Sequence, residues 1–230
     1  MRLDFERMRS HVRTFSGKIL EDPLGLERFS IPSGFAGIIA ELLGMADWFA
    51  FRAACIKRYV AELADIVAKQ GGNKQFCAYL FTPSLAPFVG QNYAKFEPFL
   101  TRIAPMIYRM ADGDSILGSE VGAIAGWSSG DAVAVRAALR FTGLASVSRT
   151  QTMVGLRRGF GPSAVAREAR LAVGATTAPH KITPIIWLQD SRIDETVSRM
   201  LETGVGGISL FAYRNGSKGY IQQAADAVPR

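Results

Sequence analysis

The residues of this sequence that could do chemistry together are pairs of side chains two positions apart, each at the end of a short apolar run. The first pair consists of two carboxylates, Asp4 and Glu6. Three later pairs are rich in aromatic side chains: Met106 with Tyr108, Trp187 with Gln189, and Phe211 with Tyr213. Because side chains two apart on a strand point to the same face, the members of each pair would project together.

If those faces converge, the two carboxylates lie among aromatic rings, an amide and phenols, a combination that suits sugar rings. Carboxylates held close together have separated pKa values, which lets one of them stay protonated as an acid. The pattern therefore predicts a carbohydrate site. A simpler interpretation stays open, since charges near a terminus are commonly solvated and Trp187 and Phe211 are core residues by default.

The apolar runs that carry these pairs predict the elements that must position them. They indicate the end of one strand at 1–5 and further strands at the following positions: 75–81, 102–108, 181–188 and 207–213. Pro105 weakens the second full strand, because proline has no donor for the ladder. Asp47 is the predicted N-cap of a helix to about residue 70, and helical spacing predicts six more helices: 94–100, 116–125, 131–141, 162–173, 191–203 and 217–227.

Strands that alternate with helices favour parallel pairing through right-handed crossovers. A TIM-type (β/α) barrel needs eight strands, and about five are predicted here. The sequence therefore predicts an α/β fold that is the C-terminal part of a TIM barrel. We expect one domain over residues 1–230, incomplete at its N-terminus.

Composition excludes several classes of partner. The net charge is +7, yet the basic residues are scattered apart from arginines at 149, 157, 158, 167 and 170, and no nucleic-acid motif is present. No apolar run is long enough for a membrane span, and no export signal is visible, so the compartment stays open. Cys55 and Cys77 are predicted to be buried free thiols. Neither they nor the two histidines match a metal spacing, and no cofactor is predicted.

A second constellation lies at residues 214–219, Arg-Asn-Gly-Ser-Lys-Gly, where a loop runs into the last predicted helix. Barrels often bind phosphate after their last strands, at the N-terminus of a helix. The loop lacks a fingerprint spacing, so a polar helix cap is the simpler interpretation.

Several of these segments resemble known glycosidases. Residues 2–7, Arg-Leu-Asp-Phe-Glu-Arg, are similar to the fourth-strand end of family 18 chitinase-like glycoside hydrolases, where the motif Asp-x-Asp-x-Glu ends in the catalytic glutamate. Residues 105–108, Pro-Met-Ile-Tyr, are similar to their sixth-strand motif Met-x-Tyr-Asp, with Arg109 in place of the Asp. Bacterial glycosidase-like TIM-barrel proteins are the better match, through Leu-Asp-Phe at 3–5, Trp48 to Arg52, and Phe81 to Pro87.

The resemblance implies a barrel entered at its fourth strand, with Glu6 as general acid, Asp4 as its modulator and Tyr108 beside the reacting sugar. The residues around the strand ends supply the expected substrate-binding set: Arg7, Arg109, Trp187, Gln189, Tyr213 and Asn215. The function expected is hydrolysis of a glycan by carboxylic acid/base catalysis, with a carbohydrate as partner. Two alternatives stay open: a non-catalytic carbohydrate-binding barrel or inactive remnant, and a barrel enzyme with a phosphorylated substrate. Open sheet edges predict a homodimer.

Overall fold

The computed structural model describes residue 6 and residues 35–71, 73–110, 116–126, 130–148 and 150–229. The strand end predicted at residues 1–5 lies outside them. The strands of the described chain are β1 (Cys77–Leu80), β2 (Arg102–Pro105), β3 (Ile185–Trp187) and β4 (Ser209–Phe211). Its helices are α1 (Phe35–Lys69), α2 (Tyr93–Phe96), α3 (Ile116–Gly126), α4 (Ala132–Phe141), α5 (Met153–Arg157), α6 (Pro162–Gly174), α7 (Ile193–Leu201) and α8 (Lys218–Asp226). Short 3-10 helices occupy Ala86–Val89, Glu97–Phe99 and Pro179–Lys181.

The first helix is longer than the sequence pattern predicts. It begins at Phe35, so Asp47 lies inside the helix and not at its N-cap. Residues 35–43, which lie before the predicted helix, belong to it, and Gly44 does not interrupt the helix. At the other end, Gly71 follows the helix with a φ of 68° and accepts the left-handed conformation that terminates it, as predicted.

Helix α1 is fixed to the rest of the chain by the segment that follows β1. Arg52 Nη1 donates to the backbone oxygen of Phe88 at 2.6 Å. Gly90 has a φ of 77°, and a Cβ there would lie 3.1 Å from Arg52, so glycine permits this close approach. The rings of Phe49 and Phe88 meet edge to face, with centroids 5.9 Å apart.

All described strand pairs are parallel, as the alternation of elements predicts. β1 pairs with β2, with Tyr79 beside Ala104, and β3 pairs with β4, with Trp187 beside Phe211. β1 and β4 each have an edge without a partner strand among the described residues. Pairing between copies of the chain through such edges stays a prediction.

Between the two sheets the ladder is reduced to two isolated bridges, at Ile103–Ile182 and Met106–Ile185. Thr183 N donates to Ile103 O at 2.8 Å, and Ile107 N donates to Ile185 O at 3.1 Å. The intervening donor position on this side of the ladder is Pro105, which has no N–H. The weakness expected at Pro105 is therefore confirmed as a break in the ladder.

The prediction of a TIM barrel is wrong. The described residues form four strands of three or four residues, arranged as two two-stranded parallel sheets, and not five barrel strands. Each apolar run predicts a strand over its whole length, but only three or four of its residues form one. The correct description is a mixed α/β fold with short parallel strands and many helices.

The helices bury three main groups of apolar side chains. α3 and α4 pack on α5 and the start of α6 through residues such as Val121, Leu139 and Leu156. α1 covers the first sheet through Val60, while α6, α7 and α8 cover the second sheet around Ile186. No described helix is both long enough and apolar enough to cross a membrane. Both cysteines are free, and Cys77 is exposed rather than buried as predicted.

A buried ion pair joins the ends of β2 and β3. Arg109 donates to both carboxylate oxygens of Asp190, and its Nη1 donates to Phe160 O at 2.9 Å. Asp190 also accepts from Arg192 N at 2.8 Å and from Thr196 Oγ1 at 3.1 Å. Arg109 is 8% exposed and Asp190 is 2% exposed, so neither charge can be solvated if the other is removed.

We expect Asp190→Ala to lower the free energy of unfolding by about 3–5 kcal/mol, because it leaves the Arg109 guanidinium buried and unpaired. Urea unfolding followed by circular dichroism measures the change. The control is Asp65→Ala on the exposed side of α1, with an expected effect within about 0.5 kcal/mol. Replacing both partners, with Arg109→Met and Asp190→Leu, should recover most of the loss. Equal stabilities for the two alanine variants would contradict this interpretation.

Candidate functional site

Two glutamates on different helices lie near the end of β1. Glu168 on α6 is fully buried, and its carboxylate accepts from Ser84 N at 2.9 Å and pairs with Arg167. Glu120 on α3 is partly buried, and its Oε2 lies 3.4 Å from Thr82 Oγ1. Thr82 and Ser84 directly follow β1, so the end of this strand positions both carboxyl groups.

The environment of Glu120 favours its protonated form. Burial is the largest influence and raises the pKa of Glu120, the Thr82 hydroxyl lowers it, and the nearby Glu168 charge raises it; together they bring the pKa to about 7. The lowering by Thr82 is limited, because Thr82 has a single hydroxyl proton and also donates to Met106 O at the shorter distance of 3.0 Å. Near neutral pH this site therefore holds a carboxylic acid that can lose its proton.

The carboxylate of Glu168 has two stabilising partners, Ser84 N–H and Arg167. Burial raises its pKa too, but Ser84 N–H and the Arg167 guanidinium stabilise the ionised carboxylate and oppose the rise. The neighbouring Tyr93 hydroxyl donates to Phe81 O at 2.6 Å, and burial together with both glutamates raises its pKa well above the ordinary range. Glu168 therefore has charge-stabilising donors that Glu120 lacks, so Glu120 is the carboxyl group that more readily keeps its proton.

A row of aromatic rings lies at the same edge of the strands. Tyr108 stacks on Phe211 with centroids 5.5 Å apart, and Phe211 lies 5.7 Å from Trp187. The Arg214 guanidinium lies over the Trp187 ring, 5.4 Å from its centroid. Tyr108 and Trp187 are buried, whereas Phe211 is 50% exposed and presents the accessible part of the row.

The row and the glutamates are connected through the backbone. Thr82 Oγ1 bonds to Met106 O, and Met106 packs against Tyr108. Leu117 N donates to Tyr108 O at 3.3 Å, so α3 passes beside the row one turn before Glu120. Because the carboxyl ends of parallel strands meet at one edge, both groups belong to the same side of the molecule.

The structure brings four of the predicted site residues to this edge: Tyr108, Trp187, Gln189 and Tyr213. Gln189 Nε2 donates to Ala212 O at 2.5 Å and to Ser217 Oγ at 2.7 Å. These bonds hold Ala212 at a φ of +66°, a conformation that residues other than glycine rarely adopt. Tyr213 projects into solvent and is 73% exposed.

The remaining predicted residues are placed differently. Glu6 is exposed and helical, and its catalytic role stays a prediction. Asp4 and Arg7 lie outside the described residues. Arg109 faces Asp190 in the buried pair, and Asn215 lies in an exposed turn.

Glu120 and Glu168 were not among the site residues predicted from the sequence, although the pattern around each of them indicates a buried carboxyl group. Ala164, Glu168 and Ala172 follow one another at a spacing of four, which places a carboxylate on the buried stripe of α6. Glu120 lies between Leu117 and Ile124 on the apolar stripe of α3 in the same way. A charged residue within an apolar helical stripe is therefore the pattern that predicts a buried, functional carboxyl group.

Comparison with protein families, with curated proteins and with solved structures finds no match to this chain. Within the described residues, no three His, Cys, Asp or Glu side chains are grouped as ligands of one metal ion would be.

We expect the stability of the protein to fall as the pH rises through the titration of Glu120. The folded pKa of about 7 exceeds the ordinary value of 4.5, so between these values the folded state keeps a proton that the unfolded state has released. The contribution of protonated Glu120 to the free energy of unfolding is complete below about pH 4.5. It is lost progressively to about pH 7.5, by on the order of 3 kcal/mol.

Glu120→Gln, which stays neutral, should remove this slope, and urea unfolding at a series of pH values measures it. The control Glu202→Gln alters an exposed carboxylate and should leave the slope unchanged. A wild-type slope retained in Glu120→Gln would mean that Glu120 does not keep its proton in the folded state.

Proposed function

We propose that this chain hydrolyses a glycan by carboxylic acid/base catalysis, with Glu120 as the general acid. The observation that carries the proposal is a partly exposed carboxyl group whose pKa is about 7, at the edge where the strands end. Such an acid can protonate a glycosidic oxygen near neutral pH and be reprotonated in the next cycle.

Glu168 is fully buried and would act as a positioning residue rather than as a catalytic one. Its charge favours the protonated form of Glu120. Hydrolysis of a glycoside also requires a second carboxylate, as base or nucleophile. In this proposal Glu6 with Asp4 supplies that carboxylate, in place of the general-acid role that the resemblance implies for Glu6.

The aromatic row supports a sugar as the ligand. Phe211 offers an apolar ring face, Tyr213 offers a second ring with a hydroxyl, and Arg214 adds hydrogen-bond donors beside Trp187. The apolar faces of sugar rings pack against aromatic rings while their hydroxyls bond to polar groups at the rim, as in other small-molecule sites.

We expect Glu120→Gln to reduce turnover of nitrophenyl glycosides by about 10²- to 10⁴-fold, because the amide cannot donate the catalytic proton. A panel of such glycosides that differ in the sugar serves as the set of probes, with release of nitrophenol as the readout. Wild-type activity should fall above about pH 7, where Glu120 loses its proton. Glu202→Gln is the control and should keep full activity.

The same panel tests the residues predicted from the sequence. Glu6→Gln should also abolish hydrolysis, and unchanged turnover would remove Glu6 from the mechanism. Unchanged turnover in Glu120→Gln would overturn the assignment of the acid. Absence of turnover on all glycosides by the wild-type protein would overturn hydrolysis itself.

A second candidate function, carbohydrate binding without turnover, is favoured by the exposure of the aromatic side chains. Tyr79 is 71% exposed, Tyr213 is 73% exposed and Phe211 is 50% exposed, so three rings at the strands lie in solvent. Exposed aromatic rings on one side of a protein commonly mark a ligand surface. This function requires no acid.

We expect Phe211→Ala to weaken retention of the protein on insoluble polysaccharides by about 10-fold, because loss of one stacked ring costs on the order of 1 kcal/mol or more. Co-sedimentation with cellulose, chitin and xylan measures retention. The matched control is Tyr59→Ala, which removes an aromatic ring of similar exposure from α1. Equal retention of both variants would remove the aromatic row from glycan binding.

A further inference from the structure

A cleft of about 490 Å³ lies between α5, the start of α6 and α7, away from the two glutamates. Among the described residues, four arginines line it, Arg109, Arg158, Arg192 and Arg199, together with one carboxylate, Glu195. Hydroxyl groups of serine and threonine residues at 148, 150, 152 and 163 complete the polar wall. The cleft is therefore concave, rich in hydrogen-bond donors and dominated by positive charge.

The charges within the cleft do not cancel. Asp190 neutralises Arg109, and Glu195 is shared between two guanidinium groups, with Arg192 Nε at 3.0 Å and Arg199 Nε at 2.9 Å. Arg192 and then Arg199 lower the pKa of Glu195, so it is ionised throughout the neutral range. One negative charge thus faces two positive charges there, and an excess of one remains.

Arg158 adds a second uncompensated charge. It follows α5 as its C-terminal cap residue and is exposed, and its guanidinium makes no hydrogen bond or ion pair within the described part of the chain. Its guanidinium can therefore turn to a ligand without breaking an existing contact. Arg192 and Arg199, held in place by Glu195, are already oriented beside the cleft.

The start of α6 also makes the electrostatic potential of the cleft more positive. Gly161, its N-cap residue, has no side chain to cap the helix, and the first turn contains no acidic residue. Gly161, Pro162 and Ser163 all line the cleft. The positive end of the helix dipole therefore adds to the attraction that the arginines exert on an anion.

We infer that this cleft binds the phosphate group of a small phosphorylated molecule. Planar guanidinium groups and hydroxyls are the donors that suit phosphate oxygens, and the volume fits a small ligand. An extended polyanion such as a nucleic acid is disfavoured, because the neighbouring cleft of about 590 Å³ between α7 and α8 is lined by Asp194, Glu202 and Asp226. This site is independent of the proposed glycan function.

Titration calorimetry with inorganic phosphate and pyrophosphate tests the inference. Arg158→Gln should weaken pyrophosphate binding by about 10-fold, because one charge-assisted hydrogen bond is lost. Arg157→Gln is the matched control: it removes the same charge one residue away, from a side chain that does not line the cleft, and should change affinity by less than about 2-fold. Both variants should unfold at the wild-type temperature, since Arg158 and Arg157 are exposed.

A second variant, Arg199→Gln, should weaken binding to a similar extent from the opposite wall of the cleft. Equal weakening by Arg157→Gln and Arg158→Gln would overturn the inference, because general surface charge would then account for binding. Failure of the wild-type protein to bind either phosphate probe would also overturn it. So would citrate binding tighter than pyrophosphate, or a single-stranded oligonucleotide that binds tighter than both.

Discussion

The buried ion pair between Arg109 and Asp190 is the constraint on which the arrangement of the candidate sites depends. It joins the residues that follow β2 and β3, where the backbone ladder is interrupted at Pro105. The ladder resumes at Ile107, whose N–H donates to Ile185 O, and the ion pair adds a side-chain connection beyond that bond. Phe160 belongs to the same network twice, because its oxygen accepts from Arg109 Nη1 and its N–H donates to Arg109 O at 3.0 Å. The start of α6 is therefore tied directly to the end of β2.

The contacts of Arg109 lie between the two candidate sites, the arginine-lined cleft and the aromatic row. Arg109 and Phe160 form one wall of the arginine-lined cleft. Tyr108, the residue before Arg109, stacks on Phe211 in the aromatic row. Successive residues of an extended segment point to opposite faces, so one short stretch after β2 can supply a side chain to each site. Gly159 is required next to this stretch, because a Cβ there would lie 2.2 Å from Arg109 O.

The sequence predicted local structure better than the global fold. Parallel pairing and most helices followed from hydrophobic periodicity, whereas the short helix α5, which Thr152 caps by accepting from Gly155 N, was not predicted. The prediction of a barrel was wrong, because an apolar run indicates a buried segment but not how many of its residues form hydrogen bonds with a neighbouring strand. The aromatic residues of the site were predicted from their positions at strand ends. Glu120 and Glu168 were not, since their partners Thr82 and Ser84 are distant in sequence and meet them only in the folded chain.

Glu168 gives the strongest physical reason to assign a function to these carboxyl groups. It lies between Ala164 and Ala172 on a fully buried stripe of α6, where an apolar side chain would avoid the cost of desolvating a charge. The chain instead supplies Ser84 N–H and Arg167 to stabilise the carboxylate, which offsets part of that cost without making the charge favourable for folding. The charge of Glu168 raises the pKa of Glu120, which is partly exposed. Burial and, to a smaller extent, the charge of Glu168 make Glu120 hold its proton near pH 7, which the chemistry of an acid explains more readily than stability does.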